Sequence, residues 1–261
     1  MSKKIRIGFL PLTKVNWTNE AMQKQRRDAI EMLSKIPNVE IVGGEDMIET
    51  EEQSLKILER FEKDRPDMLV ALFTTFALGT IVSLFAKRLK VPVVLWSIKE
   101  PDPAGGRLQA NSFCAANMNS HFLYRFHIPY FHVHGNIGDE KTLQDFDKTV
   151  RVVRAMDAVS KMRIGLIGGR VPGFYTSSCD EMMLRSKLGP ELKYIMMLEV
   201  MNDAKTISKE DLDEALKIVK ADATGAEASE GDLKKSAALY AAVCGMRKKF
   251  GVDTFAFRCW P

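Results

Sequence analysis

Polar and aromatic side chains directly follow three apolar runs of the chain, and they are its best candidates for binding chemistry. The three stretches are residues 13–17 (TKVNW), 74–79 (TTFALG) and 97–107 (SIKEPDPAGGR). Their hydroxyls, amide, lysines, arginine and aromatic rings can hold a polyhydroxylated small molecule by hydrogen bonds and stacking. Loops that follow buried strands are polar in α/β proteins generally, so a purely structural role for these residues stays open beside ligand binding.

The histidines are the second candidate group, because all four lie between residues 121 and 134. His132 and His134 alternate on one predicted strand and should point to the same side of it. Such a pair could suit a metal, but we favour polar packing at the strand end. His121 and His127 belong to the preceding predicted helix and its exit.

Known catalytic and nucleotide-binding motifs are missing from the sequence. The glycines of residues 165–173 (GLIGGRVPG) do not have the G-x-G-x-x-G spacing that brings backbone close to a pyrophosphate, and they favour a turn between a strand and a helix. No G-x-S-x-G, H-E-x-x-H or Walker motif occurs. We therefore assign no catalytic residue and no metal ligand to this chain.

Alternating strand and helix patterns position the candidate loops. Strands are predicted at residues 5–12, 39–42, 68–73, 91–96 and 130–134, and helices at 21–36, 51–63, 78–89 and 111–126. Strands separated by helices imply a doubly wound, Rossmann-like parallel sheet. Ligands bind such sheets outside the carboxyl ends of the strands, so the three loops should meet along one edge.

A second, smaller unit is predicted after a long helix at 141–160. Its pattern is a strand at 163–169, a helix at 178–188, a strand at 192–200, a capping box at 208–211 before a further helix, a helix at 230–250 and a strand at 252–261. We therefore expect two consecutive α/β domains, 1–160 and 161–261, of which the second is an incomplete doubly wound sheet.

Composition narrows the class of protein. The 261 residues are 46% hydrophobic and 28% charged, which excludes disordered and collagenous chains. The net charge of +4 is spread along the chain, so no nucleic-acid partner is expected. The apolar run at 5–10 is too short for a signal sequence or a membrane span, which predicts a cytoplasmic protein with no membrane partner. The cysteines have no metal or redox spacing and are expected to be buried free thiols: Cys114, Cys179, Cys244 and Cys259.

Short motifs that follow one another along nearly the whole chain resemble a known family. They are residues 95–97, 101–106, 111–112, 134–135, 154–155, 163–169, 172–175, 180–181 and 258–261. In this order they resemble the N-terminal and second domains of L-fucose isomerase and, more distantly, L-arabinose isomerase. The resemblance implies homo-oligomers that interconvert an aldose and a ketose at a divalent metal, usually Mn²⁺. It places the metal ligands downstream of residue 261, so the chain is expected to lack the C-terminal catalytic region and to be inactive alone.

The resemblance also implies which residues contact the sugar. In that family the first domain offers strand-end loops to the active site of a neighbouring subunit. The corresponding substrate-binding residues here are Lys14, Asn16, Trp17, Thr75, Phe76, Trp96, Asn111 and Ser112. Two other interpretations stay open, a non-enzymatic sugar-binding module and a module for oligomerisation.

Overall fold

The computed structural model describes residues 3–101, 106, 108–222, 225 and 227–258. The chain divides into two compact units, Met1–Ala155 and Met156–Pro261. This division falls inside the helix that we expected to end the first domain at residue 160. In the described residues, no helix is both long and apolar enough to cross a membrane.

The first unit alternates strands and helices as predicted, with ends that differ by a few residues. Its strands are β1 (Ile5–Leu12), β2 (Val39–Val42), β3 (Met68–Phe73), β4 (Val93–Ser97) and β5 (Tyr130–His134), and its helices are α1 (Glu20–Ser34), α2 (Glu51–Asp64), α3 (Thr80–Leu89), α4 (Ser112–Arg125) and the first part of α5 (Glu140–Lys161). Local sequence sets the helix starts. Asn19 caps α1, and Thr50 with Gln53 forms a capping box on α2.

The five strands form one parallel sheet in the order β2-β1-β3-β4-β5, which confirms the doubly wound architecture. Helices α2, α3 and α4 cover one face with a core that includes Phe61 and Phe85. Helices α1 and α5 cover the other face, where Trp96 and Phe146 are buried. All six residues of β3 are buried, as a central strand covered on both faces requires.

The second unit has a smaller parallel sheet. Its elements are β6 (Arg163–Ile167), a short 3₁₀ helix (Tyr175–Ser177), α6 (Glu181–Lys187), β7 (Glu191–Ile195), α7 (Met197–Lys205), α8 (Lys209–Asp222), α9 (Glu230–Phe250) and β8 (Thr254–Phe257). The strand order is β7-β6-β8. The core contains Ile167, Ile195, Val200, Ala242 and Met246.

The predicted strand at 192–200 is wrong in its second half. Strand β7 ends at Ile195, and residues from Met197 onward form helix α7. Met197, Val200 and Ala204 pack on the second core at helical spacing. Methionine and leucine are also good helix formers, so the apolar run crosses the boundary between the two elements.

Two further expectations about the second unit and the cysteines can be compared with the structure. The glycine-rich stretch connects β6 to α6, with positive φ angles of 79° at Gly168 and 69° at Gly169 that suit glycine.

The predicted burial of the thiols is wrong for the described cysteines, because Cys114, Cys179 and Cys244 are free but exposed. Cys259 and the end of the predicted last strand lie outside the described residues.

Candidate functional site

The last residues of four strands form one row across the first sheet. Leu12 pairs with Phe73, Phe73 with Ser97, and Ser97 with His134. The connections that follow these residues therefore leave the sheet along a single edge. Helix α1 after β1 and helix α3 after β3 lie on opposite faces, so the topological switch point lies between β1 and β3.

The connections after β1 and β3 are bonded to each other at this switch point. Oγ1 of Thr13 lies 2.9 Å from Oγ1 of Thr75, and the backbone N–H of Lys14 donates to Thr75 Oγ1 at 2.9 Å. Thr75 is buried, and its hydroxyl therefore ties the two connections together beneath the surface. The structure thus brings together the residues that the sequence predicted in these two loops.

Lys14 and Trp17 form an exposed cationic and aromatic surface above this link. The Lys14 Nζ lies 4.7 Å from the centroid of the Trp17 ring, which is cation–π distance, and Trp17 is 43% exposed. Within the described part of the chain, no carboxylate forms an ion pair with Lys14. The cation and the ring are thus exposed together, with the cation lying over one face of the ring.

Glu49 holds the loop that carries this surface. It accepts hydrogen bonds from the backbone N–H groups of Thr18 and Asn16, each at 3.1 Å. Hydrogen bonds from Thr18 and then from the Asn16 amide hold the pKa of the Glu49 carboxyl below its usual value. Asn16 has a φ of 61°, a left-handed conformation that asparagine tolerates well.

Asn111 precedes α4 and is fixed in a similar way. Glu100 accepts from the backbone N–H groups of Ala110 and Asn111, each at 2.8 Å, and from that of Gln109. Burial alone raises the pKa of the Glu100 carboxyl, but these three amides outweigh it and the net shift is downward. The Asn111 side chain makes no capping bond to the helix. Phe76, in the connection after β3, is half-buried against the first core.

Two predicted site residues lie inside the scaffold. Trp96 is fully buried, donates its indole N–H to the carbonyl of Gly135 at 3.0 Å and packs on Phe146. Ser112 is also buried, and its Oγ donates to the Phe73 carbonyl at 2.5 Å while it accepts from the N–H of Ile98 at 2.9 Å. Neither side chain presents a surface to a ligand in this structure.

The polar packing that we favoured for His132 and His134 at the strand end is present, and its partner, Ser97, was not predicted. Ser97 Oγ lies 2.9 Å from Nε2 of His132 and 2.9 Å from Nδ1 of His134. The Phe113 ring lies 5.9 Å from the first histidine and 5.4 Å from the second. The two histidines do share one side of β5, and the signal that could have revealed Ser97 was its position at the end of the neighbouring strand.

A metal does not fit the described residues. Among them, no group of three or more histidine, cysteine, aspartate or glutamate side chains could hold an ion. No step through a metal is therefore derived for this chain.

Comparison with known proteins identifies the relatives of the first unit. Residues 8–160 match the family model described as "Fucose/sulfoquinovose isomerase, N-terminal domain". This match covers more than half of the chain and contains the whole β1-to-β5 sheet edge.

Curated relatives extend the similarity into the second unit. Proteins named sulfoquinovose isomerase match from Priestia aryabhattai (25% identity, 97% of this chain and 56% of that protein), Alkalicoccus urumqiensis (28%, 75% and 44%) and Clostridium sp. strain MSTE9 (23%, 98% and 57%). The chain thus spans about half the length of the curated relatives it matches. A solved structure also aligns with this chain, that of an ABC transporter periplasmic solute binding protein from Actinobacillus succinogenes 130z with bound D-allose. The alignment covers 84% of this chain and 66% of that one at 11% identity, and its TM-score of 0.28 is too low to indicate a shared fold.

Proposed function

Because this chain belongs to the fucose/sulfoquinovose isomerase family through its N-terminal domain, we propose that it is the sugar-binding part of an aldose–ketose isomerase. The observation that carries the proposal is the joining of the β1 and β3 connections at the switch point, with Lys14 and Trp17 exposed above them. Lys14 and Asn16 supply hydrogen bonds to the sugar, and Trp17 supplies a stacking face.

The charge of Lys14 favours an anionic sugar as the substrate. A sulfonate group is negatively charged throughout the neutral range, and an ammonium with no carboxylate partner among the described residues can pair with it. The names of the relatives agree with a sulfosugar. L-Fucose and L-arabinose, which the sequence resemblance implied, are the neutral alternatives.

Isomerisation requires some groups that we assign to this chain and others that we assign to the rest of the enzyme. Moving a proton between adjacent sugar carbons needs a base, an acid and stabilisation of the enediolate. The Mn²⁺ that the resemblance implies would supply that stabilisation, and we assign its ligands to residues outside this chain. The residues described here bind and orient the sugar for a site completed in a cytoplasmic homo-oligomer.

Calorimetric titration tests this assignment. Sulfoquinovose, L-fucose and L-arabinose are titrated separately into the 261-residue chain, with and without Mn²⁺. We expect sulfoquinovose to bind independently of the metal and Lys14→Met to weaken that binding about tenfold, the loss of a charge-assisted contact. Lys35→Met is the matched control, since Lys35 lies at the C-terminal end of α1, away from the strand-end loops, and pairs with Glu31 at 3.3 Å.

The outcomes separate the possibilities. Retained binding by Lys14→Arg would show that charge is what the site uses. Equal weakening of sulfoquinovose and L-fucose by Lys14→Met would refute the anionic substrate. If none of the three sugars binds, the site itself is refuted.

A further inference from the structure

The row of strand ends places His134 on the same edge as the proposed sugar site. Ser97 and His134 continue the row that begins with Leu12 and Phe73. Neighbouring strands are about 4.8 Å apart, so the end of β5 lies roughly 10 Å from the end of β3, which precedes Thr75, and roughly 14 Å from the end of β1, which precedes Lys14 and Trp17. Asn111 and Phe113 at the start of α4 lie on the same edge, with Phe113 against the His134 ring.

The hydroxyl of Ser97 restricts how protons are arranged on the two rings. Ser97 is fully buried and has one hydroxyl proton, yet its Oγ is within hydrogen-bond distance of two ring nitrogens. Both nitrogens cannot be bare, since the hydroxyl can donate to only one of them. If both nitrogens carried protons, the buried hydroxyl proton would have neither ring to donate to. All three groups have a hydrogen-bond partner only in a directional chain, in which one ring donates to Ser97 and Ser97 donates to the other ring.

The environment of His132 is compatible with one direction of this chain in particular. Burial, followed by the charge of His134, holds the pKa of His132 below its usual value. A neutral His132 can accept from Ser97 through Nε2, and this is the direction that we adopt. In this direction the Nδ1–H of His134 donates to Ser97, and Nε2 of His134, the nitrogen away from Ser97, can exchange a proton without rearranging the chain.

We propose that His134 is an acid–base group that opens the cyclic form of the sugar at this edge, with Ser97 and His132 as positioning residues that fix its tautomer. The proposal rests on the proposed function for the class of ligand. It assigns a step that comes before isomerisation, because sugars of this class are mostly cyclic in water and the aldose must present a free carbonyl.

The step balances within the sugar and one imidazole. The anomeric hydroxyl gives its proton to His134 Nε2, and the freed electron pair forms the carbonyl at C1. The bond from C1 to the ring oxygen breaks, with its electrons passing to that oxygen. The ring oxygen then takes the proton back from the His134 imidazolium, and no oxidant, reductant or metal is consumed.

Anomer exchange measured by NMR on the 261-residue chain tests this proposal without a metal. The probes are sulfoquinovose and L-fucose, and binding is measured separately by calorimetry. We expect the chain to accelerate exchange of at least one probe by about tenfold or more over the sugar alone, a modest general acid–base effect. His134→Gln should bind the sugar as the parent does and return exchange to the rate of the sugar alone, whereas His121→Gln, on the exposed part of α4, should behave like the parent.

The positioning roles have a readout of their own. Nitrogen NMR of the imidazoles should show His134 with its proton on Nδ1 in the parent, and Ser97→Ala should shift the population toward the Nε2–H tautomer and slow exchange. Binding without accelerated exchange, or exchange unchanged by His134→Gln, overturns this proposal and leaves the sugar site standing. Absence of binding overturns both.

Discussion

The two units of this chain bury their sheets to different degrees. In the first, helices cover both faces of five strands and every residue of β3 is buried. In the second, helices α7 and α9 contribute to one core, while Ile164 and Leu166 of the central strand are only half-buried and Tyr194 of β7 is 60% exposed. Parallel sheets are ordinarily covered on both faces. We therefore expect burial within the unit to stabilise the first unit more than it stabilises the second.

Removing a large core side chain should produce the largest difference in stability between the two units. Phe61 is fully buried against Phe85, and Phe61→Ala should cost about 3–5 kcal/mol of unfolding free energy. Met246→Ala in the second unit should cost about 2 kcal/mol, because a small core collapses more readily around the cavity. Urea denaturation followed by site-specific probes in each unit measures both.

The pattern of transitions decides whether the units are independent. We expect each variant to lower the midpoint of its own unit alone. One shared transition that both variants move by the same amount would contradict the distinction between the units.

Two serines, one buried in the first unit and one exposed in the second, should produce a smaller difference in stability. Ser112→Ala leaves the buried N–H of Ile98 and the Phe73 carbonyl without their side-chain partner and should cost about 1–3 kcal/mol. Ser208→Ala removes an exposed cap on the Asp211 N–H in the second unit and should cost about 1 kcal/mol or less. Denaturation midpoints provide the measurement, and equal losses for the two serines would be inconsistent with the burial of the first.

Acid should destabilise the first unit through His132. Burial, followed by the charge of His134, holds the folded-state pKa of this ring below the usual histidine value, so the unfolded chain binds the proton more readily, and stability is lost as the pH falls through the usual histidine range. His132→Gln should reduce the loss of stability between pH 7.5 and pH 5.5, whereas His127→Gln, a histidine outside the Ser97 cluster, is the control. Midpoints in urea at both pH values measure the effect. An unchanged loss in His132→Gln would show that this ring is not responsible.

The smallest effect is expected from the exposed thiols, one in the first unit and two in the second. Cys114, Cys179 and Cys244 should react with a thiol reagent in the folded chain, because all three are exposed. Modification should change the unfolding free energy by less than about 0.5 kcal/mol, as is usual at surface positions. Mass spectrometry of labelled peptides reports each site, and labelling that required denaturant would contradict their exposure.

The sequence predicted the first sheet well because its signal is strong and local. A continuous apolar strand such as β3, bounded by turn residues, has few other interpretations. The apolar run after Ile195 failed because it serves a strand and then a helix without a break. Hydrophobicity does not distinguish the two, and only the packing of Val200 on the second core does.

The candidate site was predictable in place but less so in composition. The rule that ligands bind at strand ends placed Lys14, Trp17 and Thr75 at one edge of the sheet, where the structure has them, and their role in binding stays a prediction. Trp96 was assigned to the site although it belongs to a strand covered on both faces, which buries its ring. The cluster around Ser97 depends on the register between β4 and β5, and periodicity within a single strand carries no information about register.

The two described tryptophans give the first unit two optical reporters. Trp96 is sealed against Phe146 and fixed through Gly135, so its emission should stay blue-shifted and protected from acrylamide until the sheet comes apart. Trp17 is partly in water beside the Lys14 ammonium, so its emission should respond to quencher and to any molecule that settles on its ring. Replacing each tryptophan in turn with phenylalanine would separate the fluorescence change caused by ligand binding from the change caused by unfolding.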